Sequence, residues 1–189
     1  MVLRALLLAV AVTVLPGFMA QARPSRLNEA DHLFWSGKGM QALALYQNLL
    51  SECTATETLS GASQEVQAAA STGILRSCLR FGKHDLAEKT LALISQAQPP
   101  QAEPLTWAGN YAEYRGRLQE ARDYWNKALQ ADPMALEARY RLAEATSVLS
   151  SSSERVIPYR WFLEKYKQNS AFSPTDLEWI GRACVRLEK

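Results

Sequence analysis

A glycine followed at fixed distances by an alanine and a large apolar residue occurs three times: Gly37, Ala42 and Tyr46; Gly82, Ala87 and Leu91; Gly116, Ala121 and Trp125. A further apolar position stands three residues beyond each, at Leu49, Ile94 and Ala128. Alanine, large residue and next apolar residue fall at i, i+4 and i+7, which places them on one face of an α-helix. A glycine just ahead of such a face breaks the preceding helix and turns the chain. Three copies of this signal predict three helix–turn–helix junctions, each with a small residue where the two helices approach. The second and third glycines are 34 residues apart and the first two 45 apart. The longer gap is expected to hold an insertion, placed in the polar stretch Thr54 to Ser63.

Helical periodicity covers the chain from about Asn28 onward, and no stretch alternates apolar and polar residues long enough to argue for a strand. Breakers fall at Gly37 to Gly39, Ser60 to Ser63, Gly82, Pro99-Pro100, Gly116, Pro133, Ser150 to Ser153, Pro158 and Ser173-Pro174. Helices are expected from Leu136 to Leu149, from Pro158 to Gln168 and from Pro174 to Lys189. The last has Ser173 as N-cap and Pro174 at its first position. It has no evident partner in the sequence and is expected to cap the array or to await a further helix.

The clearest unit runs from Pro104 to Pro133. There Gly109, Ala121, Trp125, Ala128 and Pro133 resemble the tetratricopeptide repeat signature, while Leu105, Ala108 and Ala112 replace its usual Trp, Leu and Tyr. The resemblance implies an all-α fold, an α-solenoid of about four antiparallel helix pairs in a right-handed superhelix, plus an unpaired C-terminal capping helix. Repeats are expected at about residues 26–53, 68–97, 102–133 and 136–168, with the final helix at 174–189. It also implies a concave groove lined by the first helix of each pair, of the kind that holds a protein or peptide.

The first residues differ from the rest. One positive charge in Met1 to Arg4 precedes an apolar run, Ala5 to Leu15, then Pro16-Gly17 and Ala20-Gln21-Ala22. That order is the pattern of a secretory signal peptide, expected over residues 1–22 with cleavage after Ala22. The run is shorter than the roughly 20 residues of a comfortable transmembrane helix. The expected location is the periplasm, the cell envelope or outside the cell, with membrane association only through the signal peptide or an envelope complex. Lys plus Arg (21) nearly balances Asp plus Glu (19), so no general field draws the chain to nucleic acid. Three cysteines, Cys53, Cys78 and Cys184, leave at least one unpaired within the chain. A Cys53–Cys78 bridge is open, and small buried hydrophobes are the favoured reading.

Groove candidates come from non-core positions of the first helices. These are Arg76 and Arg80, four apart on one face; Asn110 and Tyr114 with Glu113; Tyr140 and Arg141 with Glu144; and, nearer an edge, Asp31, Phe34 and Trp35. Some family members grip a C-terminal carboxylate with Lys, Asn and Arg. Asn110 matches one such place, but Thr106 stands where Lys would be, so the clamp is incomplete. Catalysis finds no support: His32 and His84 lie in different repeats, outside any HExxH, GxSxG or Cys–His pattern, and no phosphate loop is present. The expected activity is an exported scaffold or adaptor for a protein or peptide, without cofactor, metal or small-molecule substrate. The alternatives are a structural repeat segment of a longer chain and an accessory subunit of an envelope enzyme or secretion system.

Overall fold

The computed structural model describes residues 16–55, 61–147, 156–168 and 171–187, with side chains from residue 25 onward. Among them the regular structure is entirely helical: α1 (Pro16–Trp35), α2 (Gly39–Thr54), α3 (Gly61–Phe81), α4 (His84–Gln96), α5 (Ala102–Tyr114), α6 (Leu118–Ala131), α7 (Leu136–Ser147), α8 (Ile157–Gln168) and α9 (Pro174–Leu187). Two compact units divide the chain between Ala70 and Ser71, inside α3.

In the first unit α1 and α2 pack as a hairpin. Arg26, midway along α1, pairs with Glu52 near the end of α2 at 2.7 Å, and the Tyr46 hydroxyl, earlier in α2, donates to Asp31, later in α1, so the helices run antiparallel. Ala30 and Phe34 of α1 meet the face of α2 that buries Ala42, Tyr46 and Leu49. Residues 1–15 of the expected signal segment lie outside the described residues; within them α1 runs from Pro16 through Ala20-Gln21-Ala22. One expectation is corrected here: the Thr54 to Ser63 stretch is not all loop, because α3 is already formed at Gly61, before the expected start of the second repeat. Ser63, Val66 and Ala70 are buried at helical spacing and extend the helix toward its N-terminus.

The three glycine junctions share one geometry. Gly37, Gly82 and Gly116 have φ of 86°, 65° and 73°, the left-handed conformation that glycine enters without steric cost. The next residue's N–H reaches back to a carbonyl of the preceding helix: Lys38 to Leu33 (2.9 Å), Lys83 to Cys78 (3.2 Å) and Arg117 to Ala112 (2.9 Å). At Gly37 and Gly116 the glycine N–H also donates to Phe34 and Glu113, completing a Schellman closure. The same Lys or Arg carbonyl then accepts from Ala42, Ala87 or Ala121, opening the second helix. Several of the backbone groups orphaned at both helix ends are thus satisfied by two or three residues of turn.

In the second unit α5 and α6 form the tightest hairpin. Ala108, Ala112, Ala121, Trp125 and Ala128 are fully buried. A methyl group on Gly109 would lie 2.3 Å from Nε1 of Trp125, so the indole occupies the space a side chain there would need. Asp132 and Pro133 end α6 and turn the chain into α7, which packs on both α6 and α5. The helix read as unpaired is not: α9 packs on α8 and α7, closing a core of Leu136, Tyr140, Ala143, Tyr159, Phe162, Trp179, Ile180 and Ala183. Tyr140 sits at its centre, with ring centroids 5.4 Å from Trp179 and 5.8 Å from Tyr159. Ser173 caps α9 as expected. Its Oγ accepts from the Asp176 N–H (3.2 Å), and its own N–H donates to Asp176 Oδ2 (3.0 Å).

Candidate functional site

The side chains that α5, α7 and α9 turn to the same side form one charged strip. Glu113 comes from α5, Glu137, Arg141 and Glu144 from α7, and Arg182 and Arg186 from α9. Spacings of three and four residues put each helix's contributions on one face, and the packing of α5 on α7 and α7 on α9 joins the faces. Arg141 lies between Glu113 (3.8 Å) and Glu144 (3.7 Å), with its side chain 30% exposed. Its guanidinium carbon is 5.8 Å from the centre of the Trp179 ring. Its Nε is buried and makes no hydrogen bond. Arg186 reaches across from α9 to Glu144 at 2.6 Å, and its Nε donates to the Tyr140 hydroxyl at 3.4 Å. Those two bonds, to Tyr140 and Glu144, hold the Arg186 proton more firmly than usual. Arg182 pairs with Glu178 one turn before it at 2.7 Å and lies 4.7 Å from the Trp179 ring centre.

Beneath the strip lies a polar relay. The Trp125 indole N–H donates to Asn110 Oδ1 (3.2 Å), and Asn110 Nδ2 donates to Glu137 Oε1 (2.8 Å). Burial raises the Glu137 carboxyl above the usual carboxylate range, against the opposing pull of Asn110, Arg141 and Arg182.

The six candidates therefore separate. Asn110 and Tyr140, taken as non-core positions, are interior: they are 8% and 5% exposed. The Asn110 amide is spent on Trp125 and Glu137, and Tyr140 on Glu144 and the aromatic core. They position the strip from below. Arg141 is on the strip itself. Tyr114 is exposed but stacks on His84 of α4, with ring centroids 6.2 Å apart. Arg76 is half-buried on α3, and Arg80 is exposed with its guanidinium 5.8 Å from the Phe81 ring centre. Sequence reasoning missed Arg182 and Arg186, because α9 was expected to stand alone; the Glu178, Arg182, Arg186 spacing was the available signal. Of the edge residues, Phe34 is buried and Trp35 exposed.

The strip is a set of exchangeable ion pairs. Its pairs are partly exposed, and such pairs are worth about 0–1 kcal/mol each, so a partner's charged groups can replace them at little cost. Among the described residues no group of three His, Cys, Asp or Glu could hold a metal ion. A separate open cleft of about 270 Å³, lined by Ile94, Pro100, Leu105 and Lys127 among others, lies where α4 and α6 end. Cys78 is buried, and burial pushes its thiol up to about 11, which leaves it protonated and unreactive at neutral pH. No helix among the described residues is long and apolar enough to cross a membrane. No family model matches this chain, and no curated protein matches it.

Proposed function

We propose that this chain is an exported tetratricopeptide-type scaffold that holds a partner protein against the α5–α7–α9 face. In this reading the helical hairpins stack as an α-solenoid with right-handed superhelical curvature. The three equal glycine junctions and the fully buried Ala42, Ala87 and Ala121 beside them support it. Residues 1–22 act as the signal peptide, and the mature chain works in the periplasm or cell envelope.

The observation that carries the binding function is the strip. Three carboxylates (Glu113, Glu137, Glu144) and three guanidiniums (Arg141, Arg182, Arg186) are drawn from three helices onto one side, over a relay that fixes Asn110 and Glu137. Charges of both signs on a rigid helical base give specificity and register more than raw affinity. A partner segment with alternating acidic and basic side chains is the matching ligand. Reversing two of the strip's cations tests this. Affinity capture from the source organism's envelope extract with the parent chain is expected to retain a defined partner. The Arg141→Glu, Arg182→Glu double variant is expected to lose it while keeping its helical spectrum. Retention of the same partner by the double variant would remove the strip from the function.

A further inference from the structure

Helix α8 keeps Tyr159 and Phe162 on the core and turns another face to solvent. That face reads Ile157, Arg160, Trp161, Glu164, Lys165 and Gln168, at i, i+3, i+4, i+7, i+8 and i+11. Ile157 is 56% exposed, and Trp161 is half-buried where it packs on the edge of the core. Arg139 of α7 joins the face from the side. Its guanidinium carbon stands 3.8 Å from the Trp161 ring centre, and its Nη2 donates to the Pro133 carbonyl at 3.0 Å. The Lys165 ammonium lies 5.8 Å from the same ring centre. Lys167, seven residues after Arg160, extends the flank and is exposed.

The charges here are arranged unlike those of the strip. There Arg141, Arg182 and Arg186 each have a carboxylate within 3.8 Å. Here, among the described residues, none of Arg139, Arg160, Lys165 and Lys167 pairs with a carboxylate. Glu164 is the single acid on the face. Partial burial works against the Arg139 charge, and no anion offsets it. Two of the four cations rest against an indole, which steadies a positive charge and leaves it unneutralised.

We propose that the outer face of α8 docks this protein on a membrane surface rich in anionic lipid. The face runs the whole length of α8, so the helix would lie along the surface. Trp161 would sit at the level of the headgroups, Ile157 at the acyl boundary, and the basic side chains would extend to lipid phosphates. Charge complementarity selects an anionic ligand. The apolar members select a membrane over an acidic protein segment, since an indole and an exposed branched aliphatic among long cations are the composition of an interfacial helix. Each cation near such a surface contributes about fivefold in affinity. This docking is independent of the charged strip, to which α8 contributes nothing.

The probe is vesicles of phosphatidylcholine with a quarter phosphatidylglycerol, co-sedimented at low salt with the chain as purified from its source cells. Binding is expected, with much less to pure phosphatidylcholine and loss at high salt. The double variant Arg160→Glu, Lys167→Glu is expected to bind about tenfold more weakly or worse. Ile157→Ser, which leaves every charge in place, is expected to weaken binding about threefold. Both should keep the parent's helical spectrum, because all three positions are exposed. The control Lys89→Glu, Lys127→Glu makes the same change in net charge at exposed positions on α4 and α6 and is expected to bind like the parent. Equal binding to both vesicle types, or an equal loss in the control and the α8 double variant, overturns the proposal. Capture of a labelled polyglutamate peptide without binding to anionic vesicles would assign the face to an acidic protein segment and overturn it as well.

Discussion

At Gly109 the hairpin between α5 and α6 depends on the absence of a single methyl group. The Trp125 indole fills that space and is locked there by its hydrogen bond to Asn110. Trp125 is fully buried and flanked by small residues, so the ring has nowhere to retreat. Gly109→Ala is therefore expected to destabilise the second unit by about 1–3 kcal/mol through overpacking. Gly181→Ala, in open space, is expected to stabilise by about 0.5–1 kcal/mol, the ordinary gain of alanine over glycine in a helix. Paired urea titrations check both signs. Equal effects at the two positions would mean that the indole is not seated against Gly109.

Glu137 illustrates a residue whose cost was hidden in the sequence. It reads as an acid in a helix's first turn, a favourable place. Burial instead raises its pKa above the unfolded value. The folded chain then binds the proton more tightly than the unfolded chain. The carboxyl's contribution to stability is greatest below the unfolded pKa and is lost as pH rises through the raised one. Glu137→Gln keeps an acceptor for Asn110 without the charge. It is expected to be more stable than the parent at pH 7, with the advantage shrinking as pH falls toward 4. A constant difference from pH 4 to pH 7 would remove the buried charge from the explanation. The same residue scale shows why Asn110 and Tyr140 were misplaced. On an isolated helix both are polar enough to face water. Their burial comes from Trp125 on α6 and Trp179 on α9, partners that local spacing does not reveal.

At the scale of the element, turns and caps were the most legible features. A left-handed backbone position leaves few choices but glycine, and the three junctions carry it at the expected places. The same holds at Ser173-Pro174, where a local hydrogen-bond exchange with Asp176 starts α9. Ser173→Ala removes that cap and is expected to cost about 0.5–2 kcal/mol, read as a lower urea midpoint with the slope unchanged. Extensions of helices were less legible. α3 is already helical at Gly61, ahead of the expected repeat start, and Ser63, Val66 and Ala70 are buried there at helical spacing; their small or polar character hid that face in the sequence.

At the scale of the molecule, the pairing of α9 decides what the chain can bind. Read as solitary, it seemed an afterthought to the array. Packed on α7 and α8, it supplies Arg182 and Arg186 to the charged strip. The helical class was legible from periodicity alone, whereas the strip was not, since it is assembled from three helices brought together by Tyr140, Phe162 and Trp179. The central claim is that this strip holds a partner protein. Its most direct test is a photo-crosslinking amino acid placed in the source cells at Glu113, at Arg182 and, as a control on α6, at the exposed Asn126. One defined adduct at both Glu113 and Arg182, with none at Asn126, is the expected result. Adducts at Asn126 alone, or none at Glu113 and Arg182, would contradict a binding face on α5, α7 and α9.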